Sequence, residues 1–140
     1  MLFRDIDLHA LDRVCAKIAE ISRNRWHIIF LLYGDIGAGK TSLVKEYVRF
    51  CGIRDSVTSP TFSLMHEYSG GIFHYDLYHR SMEDLLCLGI FDLLANDGIH
   101  FVEWANDELK AMLCEAFGDI ITIKIDRGIE ARDYEIKGYM

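Results

Sequence analysis

The stretch WHIIFLLYGDIGAGKTSLVKEYV, Trp26 to Val48, constrains the fold more than any other part of the chain. Trp26 to Tyr33 is an unbroken apolar run of branched and aromatic residues. Such a run suits a strand covered on both faces, as in the middle of a parallel sheet. A glycine-rich elbow follows. Leu43, Val44, Tyr47, Val48 and Cys51 then recur at helical spacing until Gly52 stops the pattern.

Within the elbow, Gly34, Gly39, Lys40 and Thr41 satisfy GxxxxGKS/T, and they stand where that pattern acts, between a buried strand and a helix. The physics accounts for each residue type. Glycines let the backbone of Gly34, Asp35, Ile36, Gly37, Ala38 and Gly39 curl with its N–H groups turned inward around phosphate oxygens. The helix beginning near Thr41 and Ser42 adds the positive end of its dipole. Lys40 can bridge the outer phosphates, and the Thr41 hydroxyl can ligate magnesium. A simple strand-to-helix turn needs neither the lysine nor the hydroxyl.

A phosphate cradle of this kind calls for an acidic partner at the C-terminal end of a neighbouring strand. Glu103 ends the apolar stretch IHFVE, and Asp76 ends IFHYD. Either can hold the metal while the other orients water or substrate, and the spacing does not choose between them. Thr58, Ser59, Pro60 and Thr61 form a hydroxyl-rich loop that can either follow a γ-phosphate or bond to its own backbone. Trp104 reads from its neighbours as a core residue at a strand end, and His74 and His79, flanking Asp76, read as packed or surface residues.

Elsewhere, Leu8, Leu11, Val14, Cys15, Ile18, Ala19 and Ser22 predict an opening helix capped by Asp5 or Asp7, with Arg23 and Arg25 near its end. VTSPTFSLMHEY predicts a loop around Pro60 and then a strand through Phe62, Leu64 and His66. That strand pairs with IFHYD across Gly70 and Gly71. Ser81 to Leu94 is helical with an interruption at Gly89. Residues 99–104 form a buried strand, a helix covers Asp107 to Phe117, and two closing strands meet at Arg127 and Gly128. The expected architecture is α/β: a three-layer domain like that of P-loop NTPases, residues 1–140, with a mainly parallel sheet and antiparallel additions.

Composition narrows the function. The chain is 51% hydrophobic with one proline, so it can bury a core. Fifteen Lys and Arg against 22 Asp and Glu leave a net charge of −7, which repels a phosphate backbone and makes any nucleic-acid role indirect. The four cysteines, at 15, 51, 87 and 114, lack metal-ligand spacing and read as reduced core residues. No apolar run is long enough to span a membrane, and the cytoplasm is the expected compartment.

Taken in order, GDIGAGKTSLVKEY, SPTFSLMHEY, HYDLYHR, DLLCLGIFDLL and FVEWA resemble the bacterial TsaE family, the small ATPases of tRNA threonylcarbamoyladenosine biosynthesis. The cradle alone is widespread; its combination with SPT, DLY and VEW is far more specific. The resemblance implies an ATPase that binds ATP and Mg2+ and associates with the two-protein threonylcarbamoyl-transferase complex. It would support modification of the adenosine beside the anticodon and meet tRNA only through that complex. It further implies that Lys40 and Thr41 bind phosphate and magnesium and that Glu103 is the metal-associated carboxylate. Asp76 would be needed for hydrolysis, Thr61 would belong to a switch loop, and Trp104 would lie at or near the site. The sequence departs from the family's DLYR at His79, with the arginine one place later at Arg80. In the closing strands, which resemble the family's, Arg132 can approach the nucleotide, though no role is assigned to it.

Two other classes share the cradle. A small-molecule kinase needs an acceptor pocket and usually an arginine-rich lid, and no such segment is evident. A non-catalytic module whose nucleotide state controls partner binding cannot be separated from an ATPase by sequence, because positioning and electrostatics supply the rate. No NKxD motif marks a GTPase.

Overall fold

The alternation of the central strands decides how the layers form. The computed structural model describes residues 1–54, 64–118 and 120–138. Among them, seven strands make one sheet in the order β1-β7-β6-β2-β5-β4-β3. These are β1 (Leu2–Ile6), β2 (His27–Tyr33), β3 (Met65–Tyr68), β4 (Ile72–Asp76), β5 (Gly98–Glu103), β6 (Ile121–Arg127) and β7 (Arg132–Lys137). The helices are α1 (Leu11–Ser22), α2 (Lys40–Phe50), α3 (Met82–Cys87), α4 (Ile90–Leu94) and α5 (Asp107–Phe117). The middle strands β6, β2, β5 and β4 are parallel; β1 with β7, β7 with β6 and β3 with β4 are antiparallel.

Along β2, Ile28, Phe30 and Leu32 join a core with α1 and α2, including Val14, Ile18, Leu43, Val44 and Tyr47. Ile29 and Leu31 point the other way, into a core with Leu85, Ile90, Leu94, Leu109 and Leu113. Helices therefore cover both faces, which is why β2 reads as continuously apolar. Two helices on the second face, α3 and α5, begin with side-chain caps: Ser81 accepts from the Asp84 N–H at 3.1 Å and Asn106 from the Leu109 N–H at 2.7 Å. Gly89, at φ 74, separates α3 from α4 at the expected interruption.

The chain's start differs from expectation. A strand, β1, precedes the first helix, which begins at Leu11 rather than Leu8; Leu8 is exposed. Asp7 does not cap the helix but accepts from the Ala10 N–H at 2.9 Å, turning the chain out of β1. Trp26 lies outside β2 and is exposed, and Trp104 lies just beyond β5. Met65 opens β3, with Leu64 just before it; Phe62 lies outside the described residues. Of the cysteines, Cys15 alone is buried, its thiol pushed up to about 12 chiefly by that burial, while Cys51, Cys87 and Cys114 are exposed.

Candidate functional site

The glycine elbow runs from the end of β2 to the start of α2. Gly34 sits so close to β6 that a side chain there would lie 2.9 Å from both the Ile125 carbonyl oxygen and the Ala38 Cβ. At Gly39 the backbone takes φ 112, which L side chains rarely adopt. Among the described residues no side chain caps α2, so its first turn opens toward a cavity of about 310 Å3.

The cavity is lined by the elbow from Ile36 to Ser42 together with Asp76, Tyr78, Glu103, Trp104 and Arg132. Of the expected site residues, the structure thus gathers Ile36, Gly37, Ala38, Gly39, Lys40, Thr41, Ser42, Asp76, Glu103 and Trp104 around one space. Gly34 and Asp35 line the opposite side of the elbow. Thr61, with Thr58, Ser59 and Pro60, lies outside the described residues.

Parallel pairing sets the two carboxylates side by side, because Asp76 at the end of β4 registers with Glu103 at the end of β5. Their surroundings differ. Glu103 is only 4% exposed, and its Oε2 accepts from the Thr41 hydroxyl at 2.9 Å and from Nε2 of the fully buried His74. Asp76 is half-buried and accepts from the Tyr78 N–H at 3.1 Å, shaping the turn after β4.

Lys40 turns back onto its own loop. Its Nζ donates to the Gly34 carbonyl and, at 3.2 Å, to that of Asp35, and it stands 3.8 Å from the centroid of the Trp104 ring. Burial lowers its pKa below the usual lysine range, opposed by Glu103, Asp76 and Asp35. Trp104 is therefore a wall of the cavity rather than a core residue. It is held at φ 64, an uncommon conformation for a bulky side chain, with Tyr78 packed 4.8 Å from its ring.

Three lining or supporting residues are not assigned to the site from sequence, although the sequence leaves Arg132 able to approach the nucleotide. Arg132, on β7, overhangs the elbow so closely that a Cβ at Gly39 would lie 2.6 Å from its Nη1. Tyr78 and His79 pack with tilted rings, centroids 4.0 Å apart, while Arg80 closes a tight bend through its N–H to the Leu77 carbonyl and is not among the residues lining the cavity. His74 was the residue most open to detection: strand alternation puts it on the same face as Asp76, toward α2.

An anionic ligand fits this donor set. The loop offers backbone N–H groups, the open end of α2, an ammonium and a guanidinium, and a hydroxyl stands against a carboxylate where magnesium could be shared with phosphate. Among the described residues no group of three His, Cys, Asp or Glu side chains could hold a metal unaided, so any magnesium here would draw part of its oxygen shell from phosphate and water.

The family described as "Threonylcarbamoyl adenosine biosynthesis protein TsaE" matches residues 7–134. A Haemophilus influenzae protein named tRNA threonylcarbamoyladenosine biosynthesis protein TsaE is 37% identical over 113 residues, 78% of this chain and 69% of its own length. Proteins of the same name from Rickettsia conorii and Bacillus subtilis are 43% and 37% identical, and the matches span about half of each relative, 46% and 51%. The crystal structure of Bacillus subtilis YdiB superposes on the whole chain and on 86% of its own, with a TM-score of 0.71 at 22% identity, a likeness of fold. With the match running through nearly every element of the sheet, the chain belongs to the TsaE family.

Proposed function

We propose that this chain is a P-loop ATPase, binding and hydrolysing Mg-ATP in support of tRNA threonylcarbamoyladenosine formation. In this reading it works in the cytoplasm with the two-protein threonylcarbamoyl-transferase complex and meets tRNA only through that complex. The observation that carries the ATP-binding part is the hydrogen bond from Thr41 to Glu103, which joins the hydroxyl of the glycine loop to a carboxylate on the adjacent strand. The relatives' names support the pathway.

Lys40 would leave the carbonyls of Gly34 and Asp35 to meet the outer phosphates, while Arg132 faces them from β7. Thr41 and Glu103 would hold the magnesium, which supplies neutralisation of charge on the phosphates. Asp76, which registers with Glu103 on the adjacent strand, would orient the attacking water.

Lys40 resting on its own loop and on Trp104 favours a second reading, in which the isolated chain is a nucleotide-gated binding module with little turnover. Phosphate release from ATP with magnesium, measured for the chain alone and with the transferase pair, separates the two. A partner-stimulated rate that vanishes in Lys40→Ala is expected for the ATPase. Equal rates with and without partners would sink the coupling, and no release in either setting would leave the gated module.

A further inference from the structure

We propose that His74 is a positioning residue for the metal-side carboxylate: its Nε2–H holds Oε2 of Glu103 so that the carboxyl group keeps one orientation toward the cavity. The inference rests on the reading of Glu103 as a magnesium-associated residue.

His74 lies in the middle of β4 and is completely buried. Its Nε2 meets Glu103 Oε2, the same oxygen that accepts from Thr41, and its Nδ1 has no partner among the described residues. This asymmetry selects the tautomer. With the proton on Nε2, the imidazole donates to a carboxylate and leaves only an idle lone pair at Nδ1. With the proton on Nδ1, a buried N–H donor would be stranded.

Two donors converge on Oε2 from different elements, Thr41 on α2 and His74 on β4, while Glu103 itself ends β5. Thr41 cannot hold the carboxylate alone if its hydroxyl is also to serve a metal ion. Histidine supplies the second, fixed donor from a rigid strand. Oε1 is then free to face the cavity that Glu103 lines. Support of this kind, one shell behind a metal-associated ligand, is what orients such ligands generally.

The test is binding of the non-hydrolysable analogue AMP-PNP, followed by calorimetry as Mg2+ is raised. For His74→Phe, which keeps a ring and removes the donor, the Mg2+ needed for half of the metal-dependent gain in affinity should rise on the order of tenfold. Affinity without Mg2+ should stay as in the wild type. His74→Gln, whose amide can reach Oε2, should recover to within about threefold of the wild type. If the phenylalanine variant does not fold, His74→Asn, whose amide is too short for that contact, carries the same expectation. A wild-type Mg2+ requirement in the donor-less variant, or equal losses in His74→Phe and His74→Gln, would overturn the inference. A wild-type protein whose binding ignores Mg2+ would instead overturn the parent reading, and this one with it.

Discussion

The hydroxyl of Thr41 donates to Oε2 of Glu103 at 2.9 Å, linking the first turn of α2 to the last residue of β5. Asp76, one strand over, has no such tie among the described residues and uses its carboxylate to shape the turn at Tyr78. This difference predicts different losses. Glu103→Ala should weaken magnesium-dependent ATP binding by about tenfold or more, and Asp76→Ala by less, because only the former removes the carboxylate joined to the loop hydroxyl. Titrating ATP against both variants, with and without magnesium, checks the order; a larger loss in Asp76→Ala would reverse the assignment.

Gly39 has little freedom to change. At φ 112 a side chain is strained, and its Cβ would meet the Arg132 guanidinium at 2.6 Å. The arginine can swing away, but the backbone cannot relax without moving the start of α2. Gly39→Ala should therefore lose about 1–3 kcal/mol of stability. It should also lose nucleotide affinity beyond that shown by Arg132→Ala alone. Urea unfolding midpoints, read beside binding titrations of both variants, test whether strain or the arginine dominates.

Much of this site was legible because its parts are written into local pattern. A wholly apolar strand had to be central, and its continuation into GDIGAGKT put the loop at the strand's C-terminal end. Glu103 and Asp76 followed from strand ends. Trp104 followed from the family's motif rather than from its neighbours, and the turn at φ 64 after β5, with Lys40 folded over the ring, is what sets it in the cavity. What escaped depended on neighbours distant in sequence. His74 looks like an ordinary buried histidine until the register of β4 against β5 is known. The strand β1 was missed because a bulge breaks its alternation, with Asp5 at φ 52 and only Phe3 and Ile6 facing inward.

Arg132 reaches the cavity from the β6–β7 hairpin, and its charge offsets part of the rise that burial gives the Tyr134 hydroxyl's pKa. As a guanidinium beside the open end of α2, it adds a second positive group to the anion site. Arg132→Ala should weaken nucleotide binding about five- to tenfold, with Arg132→Lys recovering part of the loss. Arg127, which is exposed and donates at 3.3 Å to the Gly37 carbonyl, should matter less. Competition binding across the three variants at low and high salt checks this, since the Arg132 contribution should shrink as salt rises.

At the opposite end of the same strands, a second histidine sets how stability depends on pH. His100 is fully buried, with its Nδ1 2.7 Å from the Tyr75 hydroxyl and its Nε2 2.7 Å from the Asn96 carbonyl. Burial lowers its pKa from 6.5 to about 4, partly offset by the Asn96 carbonyl and reinforced by His27, whose ring lies 5.2 Å away. The folded chain thus takes up this proton later than the unfolded chain does. Its contribution is fully present above pH 6.5, falls as the pH drops toward 4, and levels off below that. A shift of this size corresponds to about 3 kcal/mol between the two limits. Denaturant unfolding from pH 7.5 to 4.5 should show the decline, and His100→Leu should be less stable at neutral pH yet lose less on acidification. An unchanged pH slope in that variant would assign the acid sensitivity to other groups.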